Sequence, residues 1–318
     1  MLRYIAAVTG WLLVALGVAG VIAHFSGWAN TVWARAAAFT PLMILGAVVG
    51  LILLGLARFV WSAVVALVVV VVGLATQVPL FVGADEHVAE SDLRVMQANI
   101  YLGQADTTAL ARLADDRDID VLTVVELTPD AARRIETTSL RARLPFAYLD
   151  PREGGSGSGI YSRYPLSDTR ELTGLTHANL RAVVTIPGVG RRALYALHPI
   201  PPYPEPAWKW QLELRRLGEQ LRAEPLPLII GTDVNSTYDH RPFRDLLAGS
   251  DAPYSPGLTD AADHLGAGIV ATYPANRAFP PMLALDRVLT RGGPVPTGFE
   301  AVDLPGSDHR GVVATVRP

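Results

Sequence analysis

The chain has 318 residues and no cysteine, which excludes disulfides and thiolate metal sites, so any metal must bind through oxygen or imidazole ligands. Its charges are unevenly distributed, because Arg3, Arg35 and Arg58 are the only formally charged side chains among the first 84 residues. The rest of the chain holds 24 of the 27 basic residues and all 30 acidic ones, which gives this part a net charge of about −6.

Three long apolar runs occupy the N-terminal part. They cover residues 4–25, 41–57 and 60–82. The first has 22 residues, which at about 1.5 Å of rise per residue suffices to cross a hydrocarbon layer of ~30 Å. We therefore expect a membrane anchor of three transmembrane helices over residues 1–84, a linker over residues 85–92, and a second domain over residues 93–318.

Other interpretations of these runs are a cleaved signal peptide for the first and buried core helices for the other two. A signal peptide normally ends in a small-residue cleavage site soon after its apolar stretch, whereas here His24, Phe25 and Trp28 lead into further apolar runs. Three uncleaved transmembrane helices therefore fit the sequence better than a signal peptide followed by core helices. Within the second run, Gly46 and Gly50 form a small-xxx-small pair, which predicts contact with another helix.

The arginines also predict the orientation of the anchor. With the N-terminus in the cytoplasm, Arg3 and Arg58 lie on the cytoplasmic side and only Arg35 lies outside, which is the bias expected of multi-pass membrane proteins. Three crossings then place the domain over residues 93–318 outside the cytoplasm, at the surface of the cell membrane. The acidic pair Asp85 and Glu86, directly after the third run, agrees with this orientation.

In the domain that follows, short apolar segments alternate with polar helices and with loops rich in glycine and proline. Apolar and β-branched residues predict strands at Leu93–Ala98, Val121–Val125, Ala182–Ile186, Ala193–Leu197 and Leu228–Ile230. Leucines at helical spacing predict covering helices at Thr107–Arg117 and Trp208–Leu221. This mixture indicates an α/β domain with either two packed sheets or one sheet covered on both faces, and the pattern does not choose between them.

Polar side chains stand at the ends of many of these apolar segments. They are Asn99, Glu126, His198, Asp233 with Asn235, Asp286, and Asp308 with His309. Each has an ordinary explanation when taken alone, since such residues often cap turns or bond the local backbone. Their recurrence at strand ends indicates a shared rim, where rigid sheets hold functional groups in place.

The order of these motifs resembles the endonuclease/exonuclease/phosphatase superfamily, over roughly residues 93–318. The matching segments are Leu93–Ile100 with Asn99, Val124–Leu127 with Glu126, Gly159–Leu166 with its Ser-Arg-x-Pro, the strand-end His198, Gly231–Asn235 with its Asp-x-Asn, and Ser307–Arg310 with its Ser-Asp-His. The resemblance implies a DNase I-like α/β fold, which is a four-layer α/β/β/α sandwich of two mixed β-sheets, here preceded by the three transmembrane helices.

The chain departs from the family pattern at three points. Thr232 lies between the glycine and the aspartate of the Gly-Asp-x-Asn motif, although the Asp-x-Asn itself is intact. Arg287 follows Asp286, where relatives often carry an aromatic residue or histidine. No residue matches the active-site tyrosine of some nuclease members, because Tyr161 falls inside a strand motif.

The resemblance implies metal-dependent hydrolysis of phosphate esters. This chemistry needs an oriented water molecule, neutralisation of charge on the phosphoryl oxygens, and help for the leaving oxygen. Glu126, with Asn99 and Asp308, offers hard oxygen ligands suited to Mg²⁺, with Mn²⁺ as a substitute.

The remaining motif residues are assigned catalytic roles by the same resemblance. Asp233 is implied to orient or deprotonate the attacking water, with Asn235 beside it. His198 and His309 are implied to contact the phosphate and stabilise its growing charge. Asp286 is expected to orient the imidazole of His309, as a carboxylate commonly does for an active-site histidine.

The net charge of the domain and its expected tethering to the membrane both indicate which substrates it binds. A nuclease normally presents a basic surface, whereas this domain is acidic and holds one lysine, Lys209, so nucleic acid is not the favoured substrate. Tethering to a lipid bilayer favours a lipid-linked or small-molecule phosphoester. The alternatives are an extracytoplasmic nuclease and a non-catalytic receptor or scaffold, although a scaffold would be expected to have lost some motif residues.

The Pro-rich loop over residues 199–210 has three interpretations. Its aromatic residues Tyr203, Trp208 and Trp210 either border the pocket, touch the membrane or pack in the core. The sequence gives no indication of the oligomeric state.

Overall fold

The structure, a computed structural model, describes residues 1–249 and 257–318. Its N-terminal part contains the helices α1 (Leu2–Ser26), α2 (Thr31–Ala38), α3 (Thr40–Leu56) and α4 (Val60–Gln77), the last followed by a 3-10 turn at Val78–Leu80. Helices α1, α3 and α4 lie where the sequence predicts the three spans. Helix α2 was not predicted, because eight residues are too few for a helical period to stand out. Asn30 caps it by accepting a hydrogen bond from the backbone N–H of Trp33 at 3.0 Å.

Two helical segments, Leu2–Ser26 and Val60–Leu80, are long and apolar enough to cross a membrane. Helices α2 and α3 together form a third such segment, but they are bent by 68° where they meet. Helix α3 alone has 17 residues, which corresponds to about 26 Å. Two or three helices could therefore span a bilayer, and the third would do so as one arm of a bent pair.

The long helices α1, α3 and α4 pack side by side with small residues inside and large apolar residues outside. The inward positions include Ala7, Gly10, Gly17 and Gly20 of α1, Ala47 and Gly50 of α3, and Ala66 and Gly73 of α4. The exposed side chains include Leu12, Leu16, Leu45, Ile52, Val68 and Leu74. A water-soluble bundle has its large apolar side chains inside and polar ones outside. An apolar outer surface such as this one suits a lipid environment.

Glycines set the closest approach between α1 and α3. A Cβ added at Gly50 would lie 2.6 Å from the carbonyl oxygen of Gly10, and one added at Gly10 would lie 2.9 Å from Cγ of Leu54. At Gly46 the nearest atom would be Cδ2 of Leu13, at 3.8 Å. The predicted helix contact therefore holds at Gly50, whereas Gly46 faces looser packing.

The rest of the described chain forms two six-stranded mixed sheets. Its strands are β1 (Leu93–Asn99), β2 (Val121–Val125), β3 (Phe146–Asp150), β4 (Ser158–Ser162), β5 (Leu166–Glu171), β6 (Leu180–Ile186), β7 (Gly190–Leu197), β8 (Leu228–Asp233), β9 (Thr259–Asp260), β10 (Asp286–Arg291), β11 (Val295–Val302) and β12 (Gly311–Arg317). Its helices are α5 (Thr107–Asp116), α6 (Pro129–Glu136), α7 (Leu140–Arg143), α8 (Ala207–Arg222), α9 (Arg241–Ala248) and α10 (Ala261–His264). The strand orders are β11-β12-β1-β2-β4-β3 and β5-β6-β7-β8-β10-β9.

The two sheets pack face to face, and helices cover their outer faces. Val95 of β1, Val121 of β2 and Ile229 of β8 belong to the core between the sheets. Met96 and Leu122, one position further along their strands, pack in the helical layer outside the first sheet. Both faces of these strands are buried, which is why the sequence shows them as continuous apolar runs. The four-layer α/β/β/α sandwich is thus confirmed, and of the two arrangements left open by the strand pattern, the protein has two packed sheets.

The sheets come closest between β2 and β8. A Cβ added at Gly231 of β8 would lie 1.9 Å from Oγ1 of Thr123 of β2, so only glycine fits there. Strand β2 runs parallel to β1, and β8 runs parallel to β7. The close contact therefore holds the carboxyl ends of strands from both sheets near one another, with Glu126 after β2 and Asp233 at the end of β8.

One end of the helical bundle is fixed to the two-sheet domain by buried polar contacts. Nδ1 of His24 lies 2.7 Å from Oδ1 of Asp239, and Nε2 of Gln77 donates to the same oxygen at 2.9 Å. Nε2 of His240 lies 3.0 Å from the carbonyl oxygen of Ala34 in α2. The anchor therefore packs directly against the domain.

Replacing Gly50 with alanine is expected to destabilise the bundle, because the added methyl group meets a backbone oxygen that cannot rotate away. Overpacking of this kind costs about 1–3 kcal/mol. Thermal unfolding in detergent micelles, followed by tryptophan fluorescence, should show a lower midpoint for Gly50→Ala. Gly46→Ala is the matched control, since its methyl group has room, and equal midpoints for the two variants would contradict the described packing.

His240 is expected to make stability depend on pH. Burial lowers the pKa of His240 to about 4, so the ring stays neutral in the folded protein at pH values where the unfolded chain, with a pKa of ~6.5, is protonated. The contribution of the neutral His240 ring to the free energy of unfolding is therefore complete above pH ~6.5 and is lost as the pH falls towards 4. At pH ~4.5 the loss should reach about 2–3 kcal/mol.

Denaturant unfolding at neutral and acidic pH tests this expectation. His240→Gln should lose less stability on acidification than the wild-type protein does, whereas His87→Gln, which removes an exposed ring, should follow the wild type. An equal loss in the wild type and in His240→Gln would show that the buried ring is not responsible.

Candidate active site

The eight motif residues gather at one rim of the sandwich. Six of them line a cleft of about 710 Å³, namely Glu126, His198, Asp233, Asn235, Asp308 and His309. Asn99 and Asp286 lie directly behind these residues, in contact with Asp233 and His309 respectively. The topology explains the convergence, because β1, β2, β7 and β8 end at this rim, and β10 begins there with Asp286 opposite Asp233.

The carboxylate of Asp233 is the centre of the cluster and is almost fully buried. Its Oδ2 accepts a hydrogen bond from Nδ2 of Asn99 at 3.0 Å, and it lies 3.8 Å from Nε2 of His198 and 3.7 Å from Nε2 of His309. Its Oδ1 accepts from the backbone N–H of Asn235 at 2.9 Å. Burial raises the pKa of Asp233, but the two histidines and these hydrogen bonds outweigh it and lower the pKa below its usual value. Asp233 is therefore an ionised carboxylate between two imidazoles.

His309 is held from its other side by a second buried carboxylate. Its Nδ1 lies 2.7 Å from Oδ2 of Asp286, and the ring of Tyr273 packs against the imidazole at a centroid distance of 4.8 Å. Burial lowers the pKa of His309, but the carboxylates of Asp286 and Asp233 outweigh it and raise the pKa to about 10. The imidazole is thus protonated at neutral pH. Tyr273, which also lines the cleft, was missed in the sequence because it follows no strand.

His198 is positioned by two further residues that the sequence analysis missed. Its backbone N–H donates to Oδ1 of Asn179 at 2.7 Å, and its ring packs against that of His177 at a centroid distance of 4.7 Å. Burial, with a smaller contribution from His198, lowers the pKa of His177 to about 4, so this ring is neutral. Both residues directly precede β6, which starts at the rim. Considering strand starts as well as strand ends would have found them.

Glu126 and Asp308 supply carboxylate oxygens to the cleft. Oε1 of Glu126 accepts from Nδ2 of Asn99 at 2.9 Å, and Oε2 accepts from the backbone N–H of Leu102 at 2.7 Å. Oδ1 of Asp308 is buried and has no hydrogen-bond partner among the described residues. Burial, reinforced by the negative charge of Glu126, raises the pKa of Asp308 to about 6 despite the opposing charge of His309.

These donors fit a hard divalent cation. Mg²⁺ and Mn²⁺ prefer carboxylate oxygens, and positive charge at this place would offset the repulsion between Glu126 and Asp308. Asn99 fits less directly, since its Nδ2 faces Glu126 and Asp233 while its Oδ1 accepts from the backbone N–H of Tyr101 at 2.9 Å. The role of Asn99 as a ligand stays a prediction.

Asp233, Asp286 and His309 also place one ligand atom each within 4.8 Å of one another. The separation of 2.7 Å between Asp286 and His309 is that of a hydrogen bond, and this bond occupies Nδ1 of the ring. These three residues therefore hold an imidazolium beside a carboxylate, and a cation at Glu126 and Asp308 stays a prediction.

The three departures from the family pattern have structural explanations. Thr232 is an ordinary strand residue paired with Arg287, so β8 reaches Asp233 without a bulge. Arg287 is buried outside the cleft and donates to Oδ2 of Asp260 at 2.8 Å. Tyr161 is fully buried in the core beneath the helices of the first sheet. None of the three alters the residues that line the cleft.

One wall of the cleft comes from the anchor, which the sequence analysis did not predict. This wall consists of Ala34, Arg35, Ala38 and Phe39, from α2 and its junction with α3. The guanidinium of Arg35 lies over the ring of Tyr203, 3.9 Å from its centroid. Tyr203 belongs to the Pro-rich loop, which therefore borders the pocket, whereas Trp210 is buried in the core and Trp208 is exposed.

Replacing Asp308 with asparagine is expected to stabilise the metal-free protein. The folded state raises the pKa of Asp308 to about 6, so the ionised side chain destabilises the fold at pH ~7.5. After a reduction for partial exposure, we expect a gain of about 1–2 kcal/mol, or roughly 2–6 °C in the unfolding midpoint. The measurement is thermal unfolding in EDTA.

Asp116→Asn, at an exposed position, is the matched control and should leave the midpoint unchanged. Added Mg²⁺ should raise the midpoint of the wild type more than that of Asp308→Asn. A midpoint for Asp308→Asn at or below that of the wild type in EDTA would contradict the repulsion inferred from the site.

Comparisons with known proteins agree with this geometry. Residues 96–309 match the sequence profile of the Endonuclease/Exonuclease/phosphatase family. Crystallised humanized TDP2 of D. rerio aligns with a TM-score of 0.58 at 18% identity, over 72% of this chain and 100% of that one. An endonuclease/exonuclease/phosphatase from Beutenbergia cavernae aligns with a TM-score of 0.51 at 20% identity, over 71% of each chain. One from Bacteroides vulgatus aligns with a TM-score of 0.54 at 15% identity, over 72% of this chain and 99% of that one.

A comparison with curated proteins found no match. The structural likenesses are all at low identity, so they bear on the fold alone. The family profile covers most of the catalytic domain, and all eight motif residues from Asn99 to His309 lie inside the matched range. This chain therefore belongs to the endonuclease/exonuclease/phosphatase family.

Proposed function

We propose that this protein is a membrane-tethered hydrolase of phosphate esters that depends on Mg²⁺ or Mn²⁺ and acts on a lipid-linked or small-molecule phosphoester. Members of the family are hydrolases that act on phosphoesters. One observation carries the proposal for this chain: every predicted catalytic and metal-binding residue either lines one cleft or contacts a residue that lines it.

Each side chain of the site is assigned a separate role in hydrolysis. Glu126 and Asp308 would hold a divalent ion, which would supply positive charge to the phosphoryl oxygens. Asp233, which is ionised, orients the attacking water and accepts its proton. His309 and His198 donate hydrogen bonds to the phosphoryl oxygens as negative charge grows on them.

Two further residues act by positioning these groups. Asp286 fixes the ring of His309 and keeps it protonated, because the carboxylate lies 2.7 Å from Nδ1. Asn235 donates its backbone N–H to Asp233, and its Nδ2 donates to the carbonyl oxygen of Pro199 at 3.0 Å. This second bond ties the loop after β8 to the loop after β7.

The charge of the cleft favours a compact substrate over a nucleic acid. Arg35 is the only arginine or lysine among the described residues that line the cleft. A nucleic-acid backbone is normally held by several such side chains, each of which neutralises one phosphate. TDP2 of D. rerio has been crystallised with a single-strand DNA product, so a nuclease is the alternative that an experiment must separate.

The charges of the anchor support an extracytoplasmic catalytic domain in the cell membrane. Nε of Arg3 donates to the carbonyl oxygen of Ala57 at 2.6 Å, which places Arg3 beside Arg58 at one end of the bundle. His24 and Gln77, which contact the domain, lie at the other end. Because arginines favour the cytoplasmic side, the catalytic domain is expected on the opposite side.

Hydrolysis by the full-length protein tests the proposal. In lipid nanodiscs with Mg²⁺ or Mn²⁺, the protein should cleave at least one of bis-p-nitrophenyl phosphate, phospholipids and plasmid DNA, and EDTA should stop the reaction. Glu126→Ala and His309→Ala are each expected to lower the rate about 10²–10⁴-fold. Glu219→Ala and His87→Ala remove exposed groups of the same types and should match the wild type.

The substrate preference then separates the alternatives. Preferential cleavage of plasmid DNA, with binding that weakens steeply as salt is added, would favour the nuclease. A folded protein that binds Mg²⁺ but cleaves none of the substrates would refute hydrolysis and favour the receptor or scaffold.

A further inference from the structure

Helix α2 connects the membrane anchor to the catalytic cleft. It lies at the end of the bundle that carries the catalytic domain, and it meets α3 at a bend of 68°. Ala34 packs among the buried residues under α8 and α9, and its carbonyl oxygen lies 3.0 Å from Nε2 of His240. Ala38 and Phe39 line the cleft. A helix joined directly to the bundle therefore forms part of the substrate site.

Arg35 is the positive charge that this helix brings to the cleft. Its guanidinium carbon lies over the ring of Tyr203, 3.9 Å from the ring centroid, and the guanidinium makes no ion pair with a carboxylate among the described residues. A cation–π contact of this kind leaves the N–H groups of the guanidinium available to an anion. The other two arginines of the anchor, Arg3 and Arg58, are at the far end of the bundle, where Arg3 donates to the carbonyl oxygen of Arg58.

The same wall offers an apolar surface that ends where α3 begins. Apart from Arg35, the anchor contributes only apolar side chains to the cleft, and Leu102, Leu283 and Leu285 add others from the catalytic domain. Directly after Phe39, α3 begins and exposes Leu42 on the outer surface of the bundle. The apolar wall of the cleft therefore ends at Phe39, directly before the helix whose outer surface suits lipid.

We propose that the substrate is a lipid phosphoester, whose anionic head group contacts Arg35 and whose hydrocarbon tail passes Phe39 into the membrane. This inference rests on the proposed function and selects one of its two substrate classes. A soluble phosphoester would use the charge of Arg35 but would gain nothing from the apolar wall. Arg35 and Phe39 are thus specificity-determining residues that the anchor contributes to the site.

Paired substrates test the role of the tail. The full-length protein in nanodiscs is given dioleoyl phosphatidate, dioleoyl phosphatidylglycerol and a polyprenyl phosphate, each beside a short-chain, water-soluble compound with the same head group. For the preferred head group, kcat/KM should be about 100-fold higher with the long chain, because several methylene groups are bound in apolar surroundings. Bis-p-nitrophenyl phosphate, measured in parallel, reports the chemistry without a tail.

The two proposals fail in different ways. If bis-p-nitrophenyl phosphate is cleaved while the long-chain and short-chain compounds have equal kcat/KM, the lipid inference is overturned and the proposed hydrolase stands. If no substrate is cleaved by folded protein with Mg²⁺ bound, the proposed function fails and this inference fails with it.

Substitutions in the wall test the two contacts separately. Arg35→Gln should raise KM about tenfold for long-chain and short-chain compounds alike, with a smaller effect on kcat, and Arg35→Lys should restore part of the loss. Phe39→Ser should lower the ratio of long-chain to short-chain kcat/KM about tenfold.

The controls place glutamine or serine at exposed positions away from the cleft. Arg58→Gln removes an arginine at the far end of the bundle, and Val32→Ser changes an exposed apolar residue of α2. Both should behave as the wild type. If Arg35→Gln matches Arg58→Gln, or Phe39→Ser matches Val32→Ser, the assignment of the wall to substrate binding is overturned; Arg35 is exposed, so its replacement leaves the core intact.

Discussion

The side-chain amide of Asn99 joins the two halves of the sandwich at the active site. Its Nδ2 donates to Glu126, which follows a strand of the first sheet, and to Asp233, which ends a strand of the second. Beneath this joint, the absence of a side chain at Gly231 lets the sheets approach at Thr123. The proposed metal site at Glu126 and the proposed hydrolytic site at Asp233 both depend on this separation between the sheets.

Buried carboxylates and imidazoles alternate at the site. The order is Asp286, His309, Asp233 and His198, with separations from 2.7 to 3.8 Å. The carboxylates of Asp286 and Asp233 keep the ring of His309 protonated, and the histidines and hydrogen bonds around Asp233 lower the pKa of this carboxylate despite its burial. Asp308 stands outside this alternation, and its unsatisfied oxygen fits the view that a cation completes the set.

The motif residues that gather at the cleft could be picked out from the sequence because their signals are local. A strand such as Val121–Val125 is apolar on both faces, and a carboxylate directly after it stands out. His177 and Asn179 were missed because they precede a strand, and Tyr273 was missed because it belongs to a long irregular segment. No comparable local pattern marks Tyr273, because its partner His309 lies on another loop.

The sequence by itself determined the apolar helices, the α/β character of the domain, the family and the eight motif residues, because each depends on residue chemistry and spacing over a few positions. Only the tertiary structure decided that two sheets pack together, which carboxylate each histidine faces, and that α2 of the anchor forms a wall of the cleft. Those features join residues as distant as Arg35 and Tyr203, or Asp233 and His309. They arise when whole layers dock, and the free energy of docking is shared over many contacts that no short segment contains.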